Sequence, residues 1–473
     1  MRFVKMIAAG LANALMASAL AAEEEPIVFS AQDGTEVPAF EGAFEVPENR
    51  ADPDSRQITM RYVRFPATGE AAGAPIVYLA GGPGGSGIRT AKGPRFPLFM
   101  ALREHGDVIA FDQRGTGASD MTETCASPYS VPSDRAVDPA EAVETYRQAA
   151  RHCFDWWEEQ GIDAKGYTTL ESARDLDALR QHLGADKITL WGISYGTHLA
   201  LAAMKEMPRG IDKAILASVE GLDQTVKLPA RTDAYFERLQ LAINERDDLR
   251  AQYPDIVAMI QRVQREADEN PRVVQVPQRG GEPIDVWLDG DTFRAATSGM
   301  ISDPGRALSM LSIYQAADQG IYEPFLGLLS FFYNGDDTIR FRTMSLAMDM
   351  ASGVSDKRMA LFEEQAPSGL VGPYLNIPMP QLRNAVPGLA LGPKFRRIPR
   401  NRIPTLVLTG TLDGRTYPAG QVEATRGLRK RQTVIVENAG HNLFMVSPEV
   451  GQVMGEFLAG EPLSTTNVVV PLP

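Results

Sequence analysis

The run Thr189-Leu-Trp-Gly-Ile-Ser-Tyr-Gly-Thr-His198 constrains this chain more than any other. It sets a G-x-S-x-G pattern, Gly192 to Gly196, between an apolar stretch at 187–191 and an apolar helical stretch at 199–204. A strand that stops at Gly192 and a helix that starts after Ser194 force the serine into a tight, strained turn. Glycines on both sides leave the room that such a turn needs. The Ser194 hydroxyl then stands at the carboxyl edge of a sheet, where a histidine can reach it. Taken alone, the pattern also fits a plain glycine-rich strand-to-helix loop, so its meaning rests on the remainder of the chain.

Only five histidines are present. His105 and His152 lie in charged or polar runs, and His182 closes a helical pattern built on Leu176, Leu179 and Leu183. His198 falls about one turn into the helix after Ser194, where its side chain is badly placed to reach back. His441 differs, because Asn438-Ala-Gly-His441 follows the strand-like run 433–436 and so puts it on a loop at a strand end. The matching acid is Asp413, in the turn Thr411-Leu-Asp-Gly414 after the apolar run 404–410. Nucleophile, acid and base in the order Ser194, Asp413, His441 are what an α/β-hydrolase fold presents, unlike the two other common serine-protease folds.

A glycine-rich loop, 80–87, follows another strand-like run at 75–79. Acyl transfer generates a negative oxygen, and backbone N–H groups aimed at it stabilise it by roughly 3–4 kcal/mol per donor. One donor is expected from Tyr195, next after the nucleophile, and one from the loop. Pro83 has no N–H, which leaves Gly82 or Gly81, with Gly82 preferred. A phosphate-cradling loop is the competing reading, but no Lys-Ser/Thr pair closes the run and Pro83 interrupts its first turn.

Gly81-Gly-Pro-Gly84, Phe111-Asp-Gln-Arg-Gly-Thr-Gly-Ala-Ser119, Gly192-Ile-Ser-Tyr-Gly196 and Asn438-Ala-Gly-His441 together resemble the proline iminopeptidase and tripeptidyl aminopeptidase group of α/β-hydrolases. The resemblance runs from about residue 27 to 458, except for the middle third. It implies serine exopeptidases that remove residues from the free amino terminus of peptides, often proline-containing ones. It also implies a structural turn for Asp112 and Arg114. Proline iminopeptidases usually carry His before Gly-Gly-Pro-Gly, whereas Ala80 stands here, as in the longer, exported branch of the group. The same triad would serve a carboxylesterase or lipase, which is the alternative reading.

Arg2 and Lys5 precede an apolar run that ends in Ala19-Leu-Ala21, with Glu23-Glu-Glu25 close behind. This is the pattern of a signal peptide over 1–21, which implies a bacterial periplasmic or secreted protein with no membrane anchor in the mature chain. The only two cysteines, Cys125 and Cys153, are expected to pair in an exported chain. Two unrelated free thiols are the other possibility. Nothing resembles a metal-ligand spacing, so neither metal nor cofactor is expected. A net charge of −13 with no long basic run argues against a nucleic-acid partner and leaves a peptide as the expected one.

Strand-like runs at 57–65, 75–79, 107–112, 187–191 and 213–218 alternate with helices such as 171–183. That alternation predicts a mostly parallel sheet with flanking helices. It stops near 219, gives way to helical patterns, and resumes at 404. The expected organisation is therefore a core of 27–220 and 401–463 with a mainly helical insertion at 221–400. In the resembling group such an insertion forms a cap over the active site. The tail 464–473 reads as an appendage. An aminopeptidase must hold a substrate ammonium, and Glu220 and Asp223, leaving the strand 213–218, are the candidate acids. Solvated loop acids are the alternative for both, and Asp336 and Asp337 are other candidates. Phe331-Phe332-Tyr333 and the series Met344, Met348, Met350 are expected to be core rather than pocket lining.

Overall fold

The structure, a computed structural model, describes residues 24–70 and 73–473. The expected signal peptide lies outside the described residues. The strands are β1 (Glu24–Ser30), β2 (Glu36–Pro47), β3 (Gln57–Phe65), β4 (Ile76–Leu79), β5 (Val108–Asp112), β6 (Cys125–Ser130), β7 (Ile188–Ser194), β8 (Ile211–Val219), β9 (Arg272–Val276), β10 (Ile284–Leu288), β11 (Thr338–Phe341), β12 (Thr405–Gly410), β13 (Arg431–Glu437) and β14 (Asn467–Val469). Among the described residues, ten form one sheet in the order β1-β2-β3-β5-β4-β7-β8-β12-β13-β14. Pairing is antiparallel from β1 to β5 and parallel from β5 through β14.

The parallel strands are short unbroken apolar runs because both of their faces are covered. In β4, Ile76 and Tyr78 pack into one buried layer and Val77 and Leu79 into the opposite one. In β8, Ile215 and Ala217 alternate with Ala214 and Leu216 in the same way. This period of two is the strand's own geometry. One layer is filled by the helices Thr169–His182 and Tyr195–Glu206, the other by Phe96–Leu102 and Pro448–Ala459.

The insertion between β8 and β12 is mainly helical, with a small hairpin of β9 and β10. A separate apolar cluster holds it together, around Phe236, Ile260, Phe293, Tyr314 and Phe325. Leu412 and Tyr417, on either side of Asp413, belong to that cluster. The insertion thus packs directly on the turn that carries the acid.

Two expectations need correction. The tail is no appendage: β14 pairs in parallel with β13, and Val468 and Val470 are buried in the core. Its β-branched run Val468-Val-Val470 suits an edge strand that inserts alternate side chains. Phe331 and Phe332 are not core either, at 74% and 50% exposed. They sit in the turn after the helix Glu323–Leu329, whose Phe325 and Leu329 already occupy the buried positions. Met344, Met348 and Met350 are buried in the core.

Cys125 and Cys153 form a disulfide that ties β6 to the helix Pro139–Glu159. β6 pairs antiparallel with β11, so the bridge anchors a strand shared with the insertion. A loop of 28 residues closed in this way stabilises the fold by about 3–4 kcal/mol on chain entropy. Replacing both cysteines by serine is expected to move the denaturation midpoint down by the corresponding amount. An unchanged midpoint would show that the fold does not draw on the bridge.

Candidate active site

Ser194 ends β7 and caps the helix Tyr195–Glu206, with φ 56° and ψ −127°. A side chain held at positive φ outside the small left-handed well stores about 1–3 kcal/mol of strain. Its neighbours enforce that strain. A Cβ on Gly196 would lie 2.0 Å from the Leu79 carbonyl oxygen, and one on Gly192 would lie 2.8 Å from the Gly196 oxygen. The helix therefore approaches the end of β4 more closely than any side chain allows. Thr197 Oγ1 donates to the Ser194 carbonyl at 2.6 Å and accepts from Glu220 N–H at 2.8 Å. One hydroxyl thus links the elbow to the end of β8.

The loop after β4 lies over the serine: a Cβ on Gly81 would be 3.0 Å from Ser194 Cβ and 3.6 Å from its Oγ. Gly82 has φ 128°, which favours glycine. Gln113 Nε2 donates to the Ala80 carbonyl at 3.1 Å, and Ser345 Oγ to the Pro83 carbonyl at 3.0 Å. The loop is therefore held from below by the core and from above by the helix Thr343–Ser352. Tyr195 N–H starts the helix, where the positive end of the backbone dipole faces the same space. Asp112 serves the turn, accepting from Ser86 Oγ, Ile88 N and Ala118 N. Arg114 is fully buried, forked onto Asp175 by two 2.7 Å bonds.

Asp413 follows β12 and is fully buried. Arg415 N and Thr416 N donate to its Oδ1, each at 2.8 Å, and Thr416 Oγ1 donates to Oδ2 at 2.7 Å. His441 Nδ1 lies 3.1 Å from both carboxylate oxygens. Burial alone would raise the Asp413 pKa, but the His441 charge and the bonds from His441 and Thr416 outweigh it and hold it below the ordinary carboxylate value. The His441 backbone is pinned too, its carbonyl accepting from Ser218 Oγ and its N–H donating to Ser302, both at 2.8 Å. The structure brings Asp413 and His441 together in the turns after β12 and β13, the two strands next beyond β8. A hydrogen bond between Ser194 Oγ and His441 Nε2 is not formed here. His198 is buried between the Gly221 carbonyl at 3.1 Å and Ser352 Oγ at 3.0 Å, with its pKa lowered chiefly by burial.

Of the two candidate amino-binding acids, Asp223 is engaged elsewhere. Its oxygens accept from Ser355 N at 2.7 Å and Ser355 Oγ at 2.6 Å, with Arg358 and Arg396 within 3.9 Å. Glu220 pairs with Lys227 at 2.8 Å. Asp336 pairs with Arg340 and Asp337 accepts from Ser133 N, both on a surface turn. Sequence reasoning missed Asp349, on the same helix as Ser345 and one turn further on. Burial pushes its carboxyl up to about 7, the Glu220 charge adds to the rise, and Lys227 opposes it. Ser345 and Asp349 share a helix face, so this face runs from the glycine loop to Glu220. Its signal was a lone carboxylate in the apolar run Met344-Ser-Leu-Ala-Met-Asp-Met350.

The sheet order and the strand–elbow–helix unit define an α/β-hydrolase fold. A family model described as alpha/beta hydrolase fold matches residues 74–281, which includes Ser194 and the glycine loop and ends before Asp413 and His441. Among curated relatives, the protein named Serine protease Hip1 of Mycobacterium tuberculosis is 34% identical over 183 residues, 37% of this chain and 35% of that protein. A tripeptidyl aminopeptidase of Streptomyces coelicolor is 31% identical over 191 residues, 38% and 34% of the two chains. Carboxylesterase B of Mycobacterium tuberculosis is 32% identical over 154 residues, 29% and 27%. The match spans about a third of the length of these relatives.

Asp349 also makes a statement about stability. The folded chain keeps its proton up to about pH 7, whereas the ordinary value is 3.8. Between those values the folded state binds more protons than the unfolded one, so stability falls as pH rises through this window. Asp349→Asn, which cannot ionise, is expected to be more stable than the parent at pH 8 by at least about 1 kcal/mol. At pH 3, where both side chains are neutral, the two should be alike. Thermal midpoints at the two pH values check this, and equal destabilisation at both would refute it.

Proposed function

We propose that this chain is an exported serine exopeptidase that hydrolyses peptide bonds near a free amino terminus. Ser194 Oγ attacks the scissile carbonyl while His441 takes its proton. Asp413, with Thr416, holds the imidazole in the tautomer that can do so. The oxyanion is received by Tyr195 N–H and Gly82 N–H. His441 then returns the proton to the leaving amine, and water repeats the sequence on the acyl-enzyme to release the amino-terminal fragment. The insertion at 221–400 acts as the cap that limits access to this centre.

The observation that carries the amino-terminal reading is the acid pair Glu220 and Asp349 beside the elbow. Lys227 already takes one of these carboxyls, Glu220, at 2.8 Å, and Asp349, driven toward neutrality by burial, is left for a second cation to charge. The substrate ammonium would hold both in their charged forms. Uncharged acyl esters have no use for such a pair. The peptidase names among the relatives support the same reading, while the carboxylesterase relative keeps an ester substrate as the second one. The disulfide supports export.

Ser194→Ala and His441→Ala are each expected to lower kcat by about 10⁶-fold, and the double variant by scarcely more, since the residues act as a unit. A Ser194→Ala protein with a tenth of the parental rate would remove the assignment. The substrate end is tested separately. A buried charge pair broken on one side costs roughly 3–5 kcal/mol, so N-acetylating a peptide amide should reduce kcat/KM by at least about 10²-fold. Asp349→Asn and Glu220→Gln should reduce cleavage of the free peptide and leave the acetylated one little changed. Equal cleavage of free and acetylated substrates would replace the exopeptidase reading by an esterase or endopeptidase.

A further inference from the structure

Glu220 also lines a second space. The end of β8, the helices Pro229–Asn244, Asp356–Gln365 and Pro418–Thr425, and the turn after Asp413 line a narrow cleft that opens to solvent. Thr416, bonded to both Asp413 and His441, is part of its wall, so the cleft adjoins the triad. Four cations line it, Lys227, Arg231, Arg358 and Arg415, against two carboxylates, Glu220 and Glu423. The pairings do not exhaust them. Lys227 takes Glu220 at 2.8 Å and Arg358 takes Glu423 at 3.1 Å. Arg231 reaches the other Glu423 oxygen only at 3.7 Å, and its Nη1 is buried with no hydrogen-bond partner. Arg415 has no side-chain ion pair among the described residues, and burial lowers its pKa by more than Tyr417 and Asp413 raise it. In a chain of net charge −13, this cleft sets two guanidinium groups side by side with neither in a close carboxylate pair.

We propose that this cleft receives a carboxylate on the side chain of the substrate's amino-terminal residue, which makes Arg231 and Arg415 determinants of specificity for peptides that begin with Asp or Glu. The proposal rests on the exopeptidase reading. With the ammonium held at Glu220 and Asp349, the side chain of the same residue has the cleft beside it, because Glu220 belongs to both sites. A guanidinium presents two parallel N–H donors that match a carboxylate and discriminate against its amide isostere. A neutral side chain entering the same cleft would leave both arginines uncompensated, which is the source of the selectivity.

The test compares matched peptide amides that start with Glu or with Gln, free and N-acetylated, on the whole chain. The free Glu peptide is expected to exceed the free Gln peptide in kcat/KM by about tenfold or more. Arg231→Gln should shrink that ratio to within about threefold, and Arg231→Lys should retain part of it. A measurement free of any variant is competition on the parent enzyme, where L-glutamate should inhibit more strongly than L-glutamine. Equal rates on the two free peptides, equal inhibition by the two amino acids, or a ratio that survives Arg231→Gln would each overturn the proposal. If free peptides are preferred over acetylated ones and Glu equals Gln, only the cleft assignment falls. If acetylated and free peptides are cleaved alike, the exopeptidase reading falls and takes the cleft assignment with it.

Discussion

The geometry of the site depends on how near the elbow helix comes to the end of β4. At Gly196 the two backbones meet at a separation that excludes a Cβ altogether. That contact fixes where the helix begins, and with it the unusual backbone angles of Ser194. Because the glycine loop continues directly from β4, the same contact sets the loop over the serine. A larger residue at Gly196 would push the helix away from both, and Ser194 would separate from the glycine loop. The strain at Ser194 is sustained by a parallel sheet buried on both faces, where a shift in one strand would disturb two packed layers at once.

The turn carrying Asp413 is fixed differently, from above rather than from within the sheet. Leu412 and Tyr417 are part of the apolar cluster of the insertion, and Thr232 hydrogen-bonds the Tyr417 hydroxyl at 2.6 Å. The packing of the insertion and the position of Asp413 are therefore coupled through one cluster. Helix Thr343–Ser352 makes the equivalent contact on the other side, through Ser345 on the glycine loop and Ser352 on His198. The insertion thus touches the glycine loop, the Asp413 turn and, through Ser302, the His441 backbone.

Much of this was legible in the sequence because the informative signals were local. Gly192, Ser194 and Gly196 mark an elbow by spacing alone, and the buried strands announce themselves as apolar runs that end in turns holding Asp413 and His441. What escaped notice depends on contacts distant in sequence. Asp349 lies in a helix whose neighbours come from three other segments, and only their packing puts it near Glu220. Thr416 stood three residues after Asp413, in a turn where hydroxyl-to-carboxylate bonds are common, but nothing local says that it also meets His441. Phe331 and Phe332 looked like core because their hydrophobicity is local, whereas their exposure follows from Phe325 and Leu329 having filled the space. The final strand was missed because a three-residue parallel edge strand has no periodicity of its own to read.

The order of strands across the sheet also governs when the chain becomes chemically competent. Ser194, its elbow and its glycine loop are complete once β8 has formed, but β12, β13 and β14 all follow the long insertion and occupy one side of the same sheet. Asp413 and His441 therefore come to Ser194 from strands that are among the last in the chain, and a chain cut before β12 holds Ser194 without either of them. The three side chains meet only in the whole fold, since no part of the chain lying on one side of the insertion holds all of them.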